Sequence, residues 1–317
     1  MSEKEKTIYL AHPRGVCAGV MRAIQIVENA IREKDTPIFV KHQIVHNKYV
    51  IDEFKKKGVV FAETLDEIPK GATVIFSAHG VSPQIIKKAD NLGLNYIDAT
   101  CPIVSAIHKK AVDLMNSGWN IILIGHKLHP EIIGTAGHLC GGAVIIENVN
   151  DALNCPIHES AEKITYLTQT TLSPDDVFPI TSILKKRYKN LLEPEKNDIC
   201  YATLERQKAV KNIAHQCELF FIIGSVESSN SKRLKEIVQK ICPSAQLINS
   251  WKEIEPGSLK NVRTIGLSAG ASAPDILLEK TVHFLKTQGF SNIVDFKNRN
   301  TNLNENLKGE TDAIQGC

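Results

Sequence analysis

Three cysteines stand at matching places in the sequence, each directly before a segment with helical periodicity. They are Cys17, Cys101 and Cys200, separated by 84 and 99 residues. Thiolates brought to one point repel one another unless a cation holds them, so converging cysteines predict a metal centre. Iron–sulfur clusters use cysteine thiolates, normally four for a cubane, so three cysteines leave one iron open to a substrate oxygen. Catalytic zinc also uses three protein ligands and an open position, and the spacing does not choose between these metals.

Polar residues follow the apolar runs in each third of the chain. The clusters are His46 and Asn47 with His79; His129 and Glu131 with Gln169, Thr170 and Thr171; and Ser228, Ser229 and Asn230 with Ser272. Such donors, together with helix N-termini, suit the oxygens of a phosphate group. Glu131 is the only carboxylate in the clusters, and beside His129 it is placed to carry protons if burial raises its pKa. Neither a P-loop nor a dinucleotide fingerprint is present.

The elements that must position these residues alternate between apolar runs and helical patterns. This alternation predicts an α/β protein with mostly parallel strands. Ligands bind beyond the carboxyl ends of such strands. We therefore expect three small α/β units arranged around a shared centre. Their predicted extents are 1–101 with Cys17, 102–199 with Cys101 at its start, and 200–290 with Cys200 at its start, followed by a polar tail over 291–317.

Composition narrows the class of protein. The chain has 317 residues with a formal charge of +3, too near neutral to favour nucleic acid binding. No apolar stretch approaches the roughly 20 residues needed to span a membrane. The N-terminal segment lacks signal and transit character, which predicts a cytoplasmic protein. No pair among the eight cysteines has C-x-x-C spacing, which disfavours zinc ribbons and thioredoxin-type motifs.

The same residues can also have purely structural roles. Buried free cysteine often packs as a small hydrophobe, which is our expectation for the cysteines outside the matched context. Those cysteines are Cys140, Cys155, Cys217, Cys242 and Cys317. Ser, Thr and Asn residues of the clusters can simply cap helices. Glu131 can be an ordinary salt bridge or cap.

Several short motifs carry a resemblance to a known family. In order they are PRGVCAGV, VHN, FSAHGV, DATCP, GHKLHPE, TQTTLS, DICYAT, SSNS and AGASAPDIL. Together they closely resemble the 4-hydroxy-3-methylbut-2-enyl diphosphate reductases (the IspH/LytB family), from about residue 8 to residue 290. The resemblance implies three α/β units in a pseudo-threefold arrangement around one central [4Fe-4S] cluster per chain, which Cys17, Cys101 and Cys200 would hold. It implies reduction of the substrate to isopentenyl and dimethylallyl diphosphate, the last step of the non-mevalonate isoprenoid pathway.

The resemblance also implies roles for the polar clusters. The residues that would hold the diphosphate are His46, His79, Ser228, Ser229, Asn230 and Ser272. Thr170 would contact the substrate hydroxyl region, His129 would belong to the same pocket, and Glu131 would deliver protons. A ferredoxin or flavodoxin would donate two electrons, one at a time.

Two alternatives remain open on the residues alone. The first is a zinc-dependent hydrolase of a phosphorylated small molecule. The second is a non-catalytic module that binds a cluster or a phosphate. A zinc hydrolase would have neither visible colour nor acid-labile sulfide, whereas the reductase would have both. Turnover with reduced viologen would exclude the non-catalytic module.

Overall fold

Three separate parallel β-sheets organise the chain in this computed structural model, which describes residues 5–33, 37–194 and 198–299. The strands of the first sheet are β2 (Ile38–Lys41), β3 (Val60–Ala62), β4 (Thr73–Phe76) and β5 (Asn95–Asp98). They lie in the order β3–β2–β4–β5. The helices of this unit are α1 (Ala18–Glu33), α2 (Lys48–Lys56) and α3 (Pro83–Asn91).

The second sheet repeats the same order. Its strands are β6 (Asn120–Ile124), β7 (Ala143–Ile146), β8 (Ile164–Thr168) and β9 (Leu191–Leu192). They lie in the order β7–β6–β8–β9. The helices are α4 (Pro102–Asn116), α5 (Pro130–His138), α6 (Val149–Leu153) and α7 (Pro174–Arg187). Each of the four except α6 has a proline in its first turn, where the missing N–H costs no hydrogen bond.

The third sheet contains the first strand of the chain. Its strands are β10 (Leu219–Ile223), β11 (Ala245–Ile248), β12 (Thr264–Ala269), β1 (Lys6–Leu10) and β13 (Phe290–Asp295). They lie in the order β11–β10–β12–β1–β13, with Thr7 opposite Thr264. The helices are α8 (Tyr201–Ala214), α9 (Ser229–Gln239) and α10 (Asp275–Thr287).

The repeat closes on itself because β1 takes the fourth place in the third sheet. In every unit the fourth strand then leads to a cysteine: β5 to Cys101, β9 to Cys200 and β1 to Cys17. The predicted arrangement of three parallel α/β units is confirmed. The unit boundaries stay predictions. Strand β13 and a 3-10 turn over Phe296–Arg299 form the first part of the predicted tail, and residues 300–317 lie outside the described residues.

Burial follows from the parallel pairing. All five residues of β10 are buried, as expected for a strand with both sheet faces covered. Helices cover the sheets and leave the carboxyl ends of the strands free for polar loops. Among the described residues, none of the helices is long and apolar enough to cross a membrane.

Candidate active site

Each of the three predicted cysteines lies at the N-terminus of a helix. Cys101 and Cys200 are the N-cap residues of α4 and α8, and Cys17 directly precedes α1. The three thiols are half-buried and close enough to interact electrostatically. The first turn of α1 packs so tightly here that a Cβ on Gly19 would lie 2.6 Å from the Sγ of Cys101. The structure therefore brings the three cysteines around one centre.

A cationic side chain from each cysteine-bearing helix reaches the segment just before the next cysteine. The contacts are Arg22 Nη1 to Thr100 O at 3.0 Å, Lys110 Nζ to Asp198 Oδ1 at 2.8 Å, and Arg206 Nη2 to Gly15 O at 2.7 Å. They form a closed ring that relates the three units cyclically. The sequence repeat did not predict these contacts, because each joins residues at least 78 positions apart.

The thiol chemistry fits an iron–sulfur cluster. Burial raises the pKa of Cys101 and of Cys200, and the neighbouring thiolates raise both values further. Three deprotonated sulfurs therefore need a bound cationic group, and metal binding supplies it by displacing the protons. Cysteine thiolates are the ligands that iron–sulfur clusters use. Over the described ranges, no three His, Cys, Asp or Glu side chains surround the position of a single metal ion.

Three histidines from two units form a cluster beyond the strand ends. His46 and His79 follow β2 and β4, and His129 follows β6 as the N-cap of α5. The ring centroid of His46 lies 4.3 Å from that of His79 and 5.5 Å from that of His129. The His79 and His129 centroids are 5.6 Å apart. The three predicted histidines are therefore in mutual contact.

Burial keeps these imidazoles neutral in the free protein. It lowers the pKa of His46 to about 4 and that of His129 to about 3, and it lowers the pKa of His79 well below the ordinary value. Each neutral ring donates one hydrogen bond and accepts another. A bound anion would oppose this lowering of the pKa, because a nearby negative charge favours the protonated ring.

The third unit contributes hydroxyl and amide groups. Ser228 caps α9, and the Thr171 hydroxyl donates to Ser229 Oγ at 2.8 Å. Ser272 Oγ donates to the backbone oxygen of His46 at 3.0 Å, which ties this unit to the histidine cluster. Asn230 is only 4% exposed. Its amide nitrogen and oxygen, like His46 Nε2, are buried without a hydrogen-bond partner in the described part of the chain.

Buried unpartnered groups point to a ligand. Polar atoms in protein interiors are nearly always hydrogen-bonded, and leaving one unpaired costs about 1–3 kcal/mol. Asn230 and His46 therefore have the arrangement expected of groups whose partner is a bound molecule. The N-terminus of α9 adds unpaired N–H groups and partial positive charge beside them.

Glu131 is the buried carboxyl group of the site. Its Oε1 accepts from Thr170 N at 2.7 Å and its Oε2 from Thr170 Oγ1 at 2.8 Å. Burial raises the pKa of Glu131 to about 7, against the lowering effect of both Thr170 hydrogen bonds. The Thr170 oxygen in turn accepts from Cys200 N at 2.9 Å. The carboxyl group of Glu131, whose pKa lies near neutral pH, is thus linked to Cys200 through a single intervening residue, Thr170.

Two adjoining cavities open from this cluster, of about 480 and 390 Å³. His129 and Glu227 line both. Gln43 spans the rim of the larger one, donating to Glu227 Oε2 at 2.6 Å and contacting His46 Nδ1 through its oxygen at 3.0 Å. Lys232 lines the smaller one, and its charge lowers the pKa of His46 and of His129.

Sequence reasoning missed Gln43, Glu227 and Lys232. Their types carried no pattern, although Lys232 lies directly after the SSNS motif that was singled out. The cysteines expected to pack as small hydrophobes have mixed outcomes: Cys155 and Cys242 are buried and Cys217 is half-buried, but Cys140 is exposed, so the expectation is wrong for Cys140. Cys317 lies outside the described residues.

Comparison with known proteins gives consistent matches over nearly the whole chain. The family model described as LytB protein matches residues 8–286. The 4-hydroxy-3-methylbut-2-enyl diphosphate reductase of Haemophilus ducreyi is 47% identical over 91% of this chain and 92% of its own length. That of Actinobacillus pleuropneumoniae serotype 5b is 45% identical over 93% and 95%.

Solved structures show the same similarity. The E-1-hydroxy-2-methyl-but-2-enyl-4-diphosphate reductase from Plasmodium falciparum has a TM-score of 0.88 at 39% identity, covering 92% of each chain. A second structure, of an (E)-4-hydroxy-3-methyl-but-2-enyl diphosphate reductase described as the terminal enzyme of the non-mevalonate pathway, has a TM-score of 0.65 at 31% identity. It covers 89% of this chain and 99% of the other.

Proposed function

This chain belongs to the LytB protein family of 4-hydroxy-3-methylbut-2-enyl diphosphate reductases, and we propose separate roles in that reaction for its three cysteines, for Glu131 and for its polar ring. By the polar ring we mean His46, His79, His129, Ser228, Ser229, Asn230 and Ser272. The family is an oxidoreductase family, which decides against the zinc-dependent hydrolase. The reaction removes the substrate hydroxyl reductively at the terminal step of the non-mevalonate pathway, giving isopentenyl and dimethylallyl diphosphate. One observation carries the assignment of roles: the buried Glu131 carboxyl group, with a pKa of about 7, is linked through Thr170 to Cys200, and the same site holds the unpaired polar atoms of His46 and Asn230.

Cys17, Cys101 and Cys200 would hold one [4Fe-4S] cluster. When bound, such a cluster supplies electrons singly and an iron that lacks a protein ligand and can accept an oxygen. Arg206, buried between the units, interacts with Cys17 and Cys200 and offsets part of their negative charge. The tight contact at Gly19 keeps the first turn of α1 against Cys101.

The polar ring would bind the diphosphate. His46 Nε2 and the Asn230 amide supply buried groups that are otherwise unpaired, and Ser228 and Ser229 stand at the N-terminus of α9. His79 and His129 complete the ring, and Ser272 holds the His46 backbone. The imidazoles, neutral in the free protein, gain a proton more readily once the anion is bound, because its charge stabilises the imidazolium form.

Glu131 would deliver a proton to the leaving oxygen. Its raised pKa leaves a large fraction of the carboxyl protonated near neutral pH, so the group can donate and be recharged from solvent. Thr170, bonded to both carboxylate oxygens, orients it and would contact the substrate hydroxyl region.

We assign Lys232 as an additional attractive charge for the diphosphate. Lys232→Gln is expected to raise KM about five-fold with kcat unchanged, since one exposed charge at about 4 Å contributes about 1 kcal/mol. Inorganic diphosphate should inhibit this variant more weakly. The inhibition constant should also depend less on salt concentration, because the site then has one charge fewer for salt to screen. Lys235→Gln, on the same helix but lining neither cavity, is the matched control. Equal effects of the two substitutions would contradict the assignment.

The electron donor would be a ferredoxin or flavodoxin. The cytoplasmic location stays a prediction from the character of the N-terminal segment. The function as a whole is tested by iron, acid-labile sulfide and visible spectroscopy on protein purified without oxygen, followed by turnover with reduced methyl viologen. We expect near four irons and four sulfides per chain, broad brown absorption and conversion of the substrate to both products. A colourless protein that resists reconstitution, or one without turnover, would refute the proposed function.

A further inference from the structure

The larger of the two cavities has an apolar part that the polar ring does not use. It is lined by five side chains, which we call the apolar lobe: Val81, Ile85, Leu128, Pro130 and Ile133. Leu128 is 90% exposed and Ile133 is 54% exposed, although both are large aliphatic side chains. Exposed apolar surface that is gathered in one place is typical of ligand-binding grooves. The cavity therefore offers a second kind of surface beside the groups proposed to bind the diphosphate.

Two helices from different units build the apolar lobe. Val81 and Ile85 flank the N-terminus of α3, and Ile133 lies in the first turn of α5. His138, at the C-terminal end of α5, donates from Nε2 to the backbone oxygen of Val81 at 3.2 Å, which fixes the two helices relative to each other. The lobe is therefore formed before any ligand arrives, as is usual for small-molecule sites.

His129 connects the apolar lobe to the polar ring. It is the N-cap of α5, follows Leu128 directly in the chain and lines the same cavity as His46. Lys41 and Glu227 also line this cavity. Glu227 accepts a hydrogen bond from the neighbouring Gln43 side chain at 2.6 Å, whereas Lys41 forms no ion pair within the part of the chain that the structure describes. An anionic group held by the ring would therefore have apolar surface directly beside it.

The groups proposed to carry out the reduction lie outside this cavity. None of the described residues that line it is a cysteine, and Glu131 and Thr170 do not line it. A hydrocarbon chain in the apolar lobe would therefore not lie against the reacting groups. A ligand bound in this way would occupy the polar ring without being converted, and it would exclude the substrate.

We propose that the apolar lobe binds the hydrocarbon chain of an isoprenoid diphosphate longer than the five-carbon substrate, and that this ligand competes with the substrate. The inference rests on the proposed function, which supplies both the diphosphate ring and five-carbon diphosphate products. Coupling two such products releases one inorganic diphosphate and one proton, and it leaves a ten-carbon chain on the same head group. The cavity volume of about 480 Å³ lies within the range of roughly 300–1,000 Å³ typical of small-molecule sites.

The first test compares two chain lengths on the holoenzyme. The Kd of dimethylallyl diphosphate, with five carbons, and that of geranyl diphosphate, with ten, are measured by titration calorimetry. The Kd of geranyl diphosphate should be at least about ten-fold lower, because the additional methyl and methylene groups are removed from water in the apolar lobe. Geranyl diphosphate should also inhibit viologen-driven turnover competitively with the substrate.

The second test changes the apolar lobe itself. In Leu128→Gln/Ile133→Gln the lobe loses apolar surface without gaining charge, so the Kd of geranyl diphosphate should rise about ten-fold. The Kd of dimethylallyl diphosphate and KM for the substrate should stay unchanged. The matched control is Val149→Gln/Leu153→Gln, which replaces two exposed aliphatic side chains of α6 that line neither cavity and should change none of these values.

Several results would overturn the proposal. Equal Kd values for the two ligands would do so, as would an unchanged Kd of geranyl diphosphate in Leu128→Gln/Ile133→Gln. So would cosedimentation with phosphatidylglycerol vesicles, or a dimer, that this double variant abolishes while chain length has no effect on Kd, because a membrane or a second copy then covers the lobe. Failure of inorganic diphosphate and dimethylallyl diphosphate to bind is a different result, because it refutes the diphosphate ring and with it the proposed function.

Discussion

Glu131→Gln should lower kcat by roughly 10²- to 10⁴-fold, the usual contribution of a positioned general acid. Glutamine can keep the hydrogen bond from Thr170 N with its oxygen and donate to Thr170 Oγ1 with its amide, so the local structure should persist. The variant loses only the proton that burial makes available near pH 7. Iron and sulfide content, and KM for the substrate, should therefore remain near those of the unmodified protein.

The pH profile gives a second readout for the same residue. In the unmodified protein, kcat should fall as the pH rises through about 7, because deprotonation of Glu131 removes the acid. This limb should be missing in Glu131→Gln. Glu147→Gln is a matched control, since Glu147 also accepts a backbone N–H bond, from Lys127 at 2.9 Å, but is exposed to solvent, whereas Glu131 is buried. Near-normal kcat in Glu131→Gln, or a retained limb, would contradict proton delivery.

Cys101→Ser should abolish turnover and strip most of the iron. Of the three cysteines, Cys101 is in tight contact with α1 at Gly19 and interacts electrostatically with both other thiols. Loss of even an outer partner of a bound metal costs roughly 10- to 100-fold, and loss of a direct ligand should exceed this. Metal analysis, labile sulfide and visible absorption measure the change without relying on activity.

The control for this substitution is Cys140→Ser, because Cys140 is exposed and follows the C-terminal end of α5, whereas the three converging thiols lie at helix N-termini. It should retain full iron, colour and turnover. A change in thermal unfolding separates cluster loss from misfolding: Cys101→Ser should still unfold cooperatively in the metal-free state. Full iron content in Cys101→Ser would remove Cys101 from the ligand set.

Much of the site was predictable because its signals are local. Cys17, Cys101 and Cys200 were identified from helical periodicity that begins directly after each of them. The polar clusters were found because each follows an apolar strand, and carboxyl ends of parallel strands meet at one edge. Family resemblance supplied the reaction, which the comparisons confirm, and the residue roles, which remain proposals to be tested by the variants above.

Other features depend on residues far apart in the chain. The place of β1 in the third sheet joins the two ends of the sequence, and nothing near Lys6–Leu10 distinguishes that pairing from one with β2. The Gln43–Glu227 contact spans 184 positions, and the Arg206–Gly15 contact spans 191. Such pairs carry no periodic signal, so only the folded chain identifies them.

By itself, then, the sequence determined the residue types, the helix starts and the repeated order of strands and polar loops, because periodicity and turn chemistry act over a few residues. The tertiary structure decided which groups are buried and what they meet. The pKa of Glu131 is the clearest case: the carboxyl group is visible in the sequence, but the desolvation that raises its pKa to about 7 comes from segments brought together only by folding.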